Sequence, residues 1–342
     1  MNNNITITID LAKTIFQIAV FNKSGNVIYN KAVKEKGMRQ LVDKYPQADI
    51  YMEACGSSHY WGRYFKKHGH LVGLLPAQIV AKFRTGNKSD KNDALAIYAV
   101  SQSKNNNIHL IPVLTLEQQD ISIMHTYREG CKKQRNQIAS RIRGLGLEYG
   151  VKFPLGINKL CEQMKDVLED AENELTTKGR NIIDKLYCEL KIVIKLVVKA
   201  TQDIEIIAKE NDACQRLVKL PGVAWLGASM LFAKLGNASH FKRGRDASAC
   251  LGLVPAHTGT GGAVRILGIT KRGDTYLRSL LVNGARAVVI HIKDKKDKLS
   301  CWIRDLLERK SFNKVVVAVA NKMVRMATAM LKSGNEYRQA IA

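Results

Sequence analysis

Four carboxylates stand at positions from which they could work together. Asp10 closes the run Ile5-Thr-Ile-Thr-Ile-Asp10, where apolar and polar residues alternate with the period of a strand. The alternation puts Asp10 on the face of Thr6 and Thr8, opposite the isoleucines. Glu53 closes a second strand-like run, Ile50-Tyr-Met-Glu53. Asp90 and Asp93 follow Ser89 and are spaced i, i+3, so they share one side of a helix's first turn. Carboxylates gathered in one place repel one another unless cations intervene, and hard oxygen ligands favour Mg²⁺ or Mn²⁺. Two such ions about 4 Å apart activate an attacking oxygen and stabilise the leaving one in phosphoryl transfer. Taken singly, each acid has a plainer use. Asp10 can end a strand as a turn residue, and Asp90 with Asp93 can cap a helix and face its dipole. Their joint placement in a strongly basic chain favours the metal reading.

The basic character is large. In 342 residues, 54 Lys and Arg stand against 30 Asp and Glu, a formal charge of +24. A polyanion answers such a surplus, and nucleic acid is the first candidate; a basic surface that only aids solubility is the alternative. Arg128, Lys132, Lys133, Arg135, Arg141 and Arg143 give one helical stretch a cationic face with few acids nearby. Leu220-Pro-Gly-Val-Ala-Trp-Leu-Gly227 resembles a helix-hairpin-helix turn, which offers backbone N–H groups to phosphates. The glycine-rich His257-Thr-Gly-Thr-Gly-Gly262 and the basic Ile269-Thr-Lys-Arg-Gly-Asp274 follow. Arg141, Arg143, Arg265, Lys271, Arg272 and Arg278 are the candidate phosphate contacts.

The seven cysteines are scattered without a CxxC pair, and the eight histidines form no HExxH, so neither a disulfide framework nor a zinc site is expected. No apolar run approaches the roughly 20 residues of a membrane span, and the first residues lack the basic start and apolar core of a signal peptide. The expected compartment is the cytoplasm, with no membrane partner.

These side chains need elements to hold them. Over 1–105 the pattern predicts strands at Ile5–Asp10, Phe16–Phe21, Val27–Val33, Ile50–Glu53 and Leu71–Leu75. It predicts helices at Gly37–Lys44, at Ser57–His68 and from Ser89 onward. Three strands in a meander followed by alternating β and α fit a ribonuclease-H-like fold, in which the first and fourth strands are neighbours. Over 106–212 the chain is helical. Ile183, Leu186, Leu190, Val193, Val197, Ala200, Ile204 and Ile207 form a heptad seam, either a coiled coil joining protomers or a long helix packed within its own chain. Residues 213–342 form a third, mainly α section.

Ile9-Asp10-Leu-Ala-Lys, Met52-Glu53-Ala-Cys-Gly-Ser-Ser-His-Tyr-Trp61 and Lys88-Ser-Asp90-Lys-Asn-Asp93-Ala resemble the three catalytic blocks of the DEDD insertion-sequence transposases. These form insertion-sequence family one-ten, and the second block is most similar to its subgroup eleven-eleven. Leu220-Pro-Gly-Val, Leu251-Gly-Leu-Val-Pro255 and Ile269-Thr-Lys-Arg-Gly-Asp-Thr-Tyr-Leu-Arg278 resemble that family's C-terminal transposase domain. The resemblance implies a RuvC-like domain with the tetrad Asp10, Glu53, Asp90 and Asp93, Mg²⁺ or Mn²⁺ as cofactor, and a coiled-coil insertion. It further implies a serine nucleophile in the C-terminal domain, donor and target DNA, a structured guide RNA from the element, and a homo-oligomer, dimer or tetramer. No serine follows Pro255 in that block; Thr260 stands nearest its place, with Gly259 the other match. The implied activity is site-specific recombination of the chain's own element. A RuvC-like structure-specific nuclease, or an inactivated copy that only binds RNA or DNA, is the alternative.

Overall fold

The computed structural model describes residues 5–85, 89–103, 110–260, 263–292 and 295–339. The chain forms two compact units, one of residues 1–116 with 239–242, the other of 117–238 with 243–342.

The first unit is built on β1 (Thr6–Asp10), β2 (Ile15–Phe21), β3 (Val27–Lys34), α1 (Glu35–Asp43), β4 (Asp49–Glu53), α2 (Ser58–Lys67), β5 (Leu71–Leu75), α3 (Ala77–Phe83) and α4 (Asp90–Ser101). Its five strands form one sheet in the order β3-β2-β1-β4-β5. β1, β2 and β3 pair antiparallel, while β1–β4 and β4–β5 are parallel, so the sheet is mixed. The expected strands and their neighbours are all present. The isoleucine face packs on α1 and α2: Ile7, Ile9, Ile18, Ile50, Met52, Met38, Phe65 and Leu74 are fully buried together. Each such side chain contributes about 1.5–3 kcal/mol by leaving water.

The other face of the sheet receives α3 and α4. Thr8 is therefore buried, and its hydroxyl needs a partner; it donates to the carbonyl of Ala94 at 2.8 Å. Ser89 caps α4 by accepting from the Asn92 N–H. The short α3 follows Pro76, whose φ of −63° suits a helix start. Seven residues make too few turns for periodicity to announce it.

The second unit contains α5 (Leu116–Glu148), α6 (Ile157–Glu169), α7 (Thr177–Glu210), α8 (Asp212–Leu217), α9 (Trp225–Leu235), α10 (Gly244–Cys250), β6 (Pro255–Thr260), β7 (Ala263–Ile269), α11 (Thr275–Ile290), α12 (Lys298–Arg309) and α13 (Phe312–Ser333). The heptad seam is occupied within the chain. Ile183 to Val197 are buried against Cys131, Ile138, Ala139 and Ile142 of α5 and Leu160, Met164 and Val167 of α6. That corrects the intermolecular reading: the stripe is apolar because it closes this unit's own core. Its last member is Ala208 rather than Ile207, because a straight helix of 3.6 residues per turn drifts off a strict heptad. Residues His257 to Thr260 of the glycine-rich block lie in strand β6, paired antiparallel with β7, in an otherwise helical unit. All seven cysteines are free thiols. Among the described residues no helix is long and apolar enough to cross a membrane.

Candidate active site

Two strand ends and one helix start meet on the α4 face of the sheet. In the parallel β1–β4 pair Ile9 lies opposite Met52, which sets Asp10 beside Glu53 at the carboxyl ends of both strands. The hydroxyl of Thr8 pins Ala94 to β1, and this bond holds the first turn of α4 over Asp10. Carboxylate oxygens of Asp10, Asp90 and Asp93 consequently lie within 4.8 Å of one another. Asp93 is buried, Asp10 half-buried and Asp90 exposed, so the cluster opens to solvent on one side.

The electrostatics follow from this crowding. Burial, and after it the negative charges of Asp93, Asp90 and Glu53, push the Asp10 carboxyl up to about 6. Arg84 acts against that rise, and its Nε is paired with the Asp93 carboxylate. Sequence reasoning missed Arg84. It lies nine residues before Asp93 with no helical spacing to connect them, so no local pattern in the sequence pairs the two. Three acids with accumulated negative charge and one open side suit a hard divalent cation, and Asp10, Asp90 and Asp93 are the residues that could hold it. Glu53 reaches the same field from the neighbouring strand without joining the three-oxygen cluster.

The candidate phosphate contacts divide. Arg141, Arg265, Lys271 and Arg272 are exposed. Arg143 is half-buried and donates to the carbonyls of Pro154 and Leu155 at 2.9 and 2.6 Å, so its fork is spent on the chain. Arg128 binds Thr201 and Glu129, and Lys132 shares that Glu129, which reduces the cationic face expected of α5. Arg278 is a clear correction. It is buried, and its Nη1 donates to the carbonyls of Leu251 at 3.2 Å and Arg272 at 2.7 Å. Those carbonyls lie just before β6 and just after β7, so Arg278 clamps the ribbon at its base. Gly252 and Gly273 complete the clamp. Both have positive φ, and a Cβ on Gly252 would meet the Arg272 backbone at 2.3 Å.

Thr260 ends β6 opposite Ala263 in the ribbon's register. Its side chain and residues 261–262 lie outside the described residues, and Gly259, the other match, is exposed.

A family model described as Transposase, of the DEDD IS110 type, matches residues 7–149. Another, described as Transposase IS116/IS110/IS902 family, matches residues 214–300. The chain is 34% identical over 330 residues to "Transposase for insertion sequence element IS1111A" of Coxiella burnetii, covering 96% of this chain and 90% of that one. It is 34% identical over 333 residues to "Probable family 20 transposase" of Pseudomonas aeruginosa, covering 97% and 98%. It is also 30% identical over 337 residues to "Transposase for insertion sequence element IS1328" of Yersinia enterocolitica, covering 98% and 99%.

Proposed function

The chain belongs to the IS116/IS110/IS902 family of insertion-sequence transposases, and on that premise we propose that it excises and inserts its own element by metal-dependent, RNA-guided recombination. The observation that carries the reading is the convergence of Asp10, Asp90 and Asp93 beside Glu53. The mixed sheet in the order β3-β2-β1-β4-β5 supports a RuvC-like, ribonuclease-H-like arrangement of these acids. A bound Mg²⁺ or Mn²⁺ would neutralise charge developing on DNA oxygens. The protein's own share is positional. Thr8 fixes α4 on β1, and Arg84 orients the Asp93 carboxylate.

Thr260 supplies the hydroxyl nucleophile in this reading. Its oxygen forms an ester to a DNA phosphorus, one P–O bond of the strand breaks, and the hydroxyl proton leaves on the released DNA oxygen. The extra methyl of threonine stiffens χ1 and slows the attack relative to serine. The formal charge of +24 supports two polyanionic partners, DNA and a structured RNA.

The test is recombination between paired donor and target plasmids with the element's flanking RNA supplied. An Asp90→Asn, Asp93→Asn double variant should fall to background while keeping its circular dichroism spectrum. Full activity in that variant ends the tetrad assignment. Unchanged activity without RNA ends the guidance. Thr260→Ala recombining at the unaltered rate ends the nucleophile, and a faster Thr260→Ser supports it.

A further inference from the structure

Among the described residues the β6–β7 ribbon pairs with no third strand. Only two strands make it, and an isolated pair of strands is marginal in water unless something packs on it. Two of its apolar residues are nevertheless turned outward. Ile266 is 74% exposed and its neighbour Leu267 is 46% exposed. Successive strand residues point to opposite faces, so both faces of the ribbon carry bare hydrocarbon. Ile266 lies opposite His257 in the register, and Arg265 lies opposite Thr258.

The charge around it selects the occupant. Between Asp246 and Asp274 the sequence holds no acidic residue, while Arg265, Lys271 and Arg272 are basic. All three of these cations are exposed. A bare apolar stripe on α7 differs in this respect. Ile192, Leu196 and Ile206 of α7 share their surface with Glu189, Lys199 and Asp203, the mixed-sign pattern of a protein surface. A thin ribbon with outward hydrocarbon and only positive charge is complementary to duplex DNA. Grooves admit β-ribbons, and apolar side chains can enter between base steps while cations grip the flanking phosphates.

We propose that the ribbon lies in a groove of duplex DNA with Ile266 as a wedge that unstacks one base step, and with Lys271 and Arg272 on the adjacent phosphates. This rests on the reading that the chain acts on DNA. Ile266 is the wedge because it is the more exposed of the pair and its β-branched side chain is already stiff at χ1, so little freedom is lost on insertion. The clamp of Arg278 on Leu251 and Arg272 holds the ribbon's base, so the wedge can push against a fixed support.

The experiment uses the full chain with Asp90→Asn and Asp93→Asn, so that strand cleavage plays no part. A relaxed, covalently closed plasmid carrying the element's ends is mixed with protein, treated with topoisomerase I, stripped of protein and resolved as topoisomers. Unstacking unwinds the duplex, so bound protein should shift the linking number. Ile266→Ala, compared at equal occupancy on filters, should lose at least half of that shift, and Ile266→Leu should keep it. An equal shift with Ile266→Ala, or no shift with Ile266 present, overturns the proposal. Light scattering covers the remaining occupant: a fall in oligomer mass with Ile266→Asp makes the ribbon a contact between copies and also overturns it. Failure of the catalytic reading would show separately, as recombination surviving in the doubly substituted background.

Discussion

Asp10 is held at a cost by its surroundings. Its carboxyl sits at about 6, above the ordinary 3.8, because of burial and three acidic neighbours. A raised carboxyl pKa means the folded chain holds the proton more firmly than the unfolded chain does. Ionisation between about pH 4 and 6 therefore costs stability as pH rises. Asp10→Asn should raise Tm at pH 7.5 without divalent metal, and added Mn²⁺ should stabilise the unsubstituted protein but not the variant; thermal scans decide both. Metal affinity should also weaken as pH falls below about 6, where the proton competes, which calorimetric titration would show. His125 shows the opposite sign. It is buried between Tyr276 and Ser229, each 3.0 Å from one ring nitrogen. Ser229 gives its proton to the Trp225 carbonyl, so it accepts from Nε2–H, and Nδ1 accepts from the Tyr276 hydroxyl. Burial, then the charge of Arg128, holds this imidazole down at about 4, with Lys234 lowering it further and Glu129 and Asp274 opposing. Stability from the neutral ring is full above about pH 6.5 and is lost as pH falls toward 4, by about 3 kcal/mol at most. The acid-side loss of Tm should shrink in His125→Gln, and an identical pH profile in that variant would contradict the account.

At the level of elements, α7 shows what periodicity can and cannot tell. The steps of three and four from Ile183 to Ile204 marked a buried stripe correctly, since each of those residues is buried. Periodicity names a face but not its partner, and the partner is the chain's own α5 and α6. Val193→Asp therefore places an unpaired charge in a core. It should cost about 3 kcal/mol or more, read as a large fall in the denaturant midpoint. A folded, unchanged Tm with halved mass would restore the intermolecular seam. β1 and α4 were legible because alternation, a capping serine and an i, i+3 acid pair are local signals. Arg84 was not, since it precedes α4, where Asp93 sits, and follows no periodicity that ties the two together. The ribbon was hidden for another reason. His257-Thr-Gly-Thr260 has neither alternation nor β-branched bulk enough to announce a strand, and pairing with Ala263–Ile269 makes it one. Arg278 was misread because a basic residue after Lys-Arg-Gly-Asp looks like surface, whereas the helix turns it inward to two carbonyls.

For the whole molecule the governing quantity is charge. A surplus of +24 over 342 residues makes nucleic-acid affinity steeply dependent on salt. Substituting Arg265, Lys271 or Arg272 with Ala should each lower the slope of log affinity against log salt by about one, while Arg278→Ala should act through stability instead. Filter binding across a salt series separates the two. A salt-insensitive affinity would contradict the electrostatic account. On the proposed reading, recombination joins two duplexes and draws on several active sites, which predicts a dimer or tetramer on nucleic acid, measurable by light scattering with RNA and DNA bound.

The clamp at the ribbon's base makes the hairpin a lever. β7 spans seven residues, about 24 Å when extended. A rotation of about 5° where Arg278 holds the base would carry the far end about 2 Å. Misplacement of that order is enough to cost about a hundredfold in rate when a nucleophile must meet a phosphorus in line. With Thr260 as the nucleophile we propose, its accuracy depends on residues far from it, the buried Leu277, Leu281 and Ala285 that seat α11. Small changes in that helix's packing would register as slow chemistry in a protein that melts almost normally.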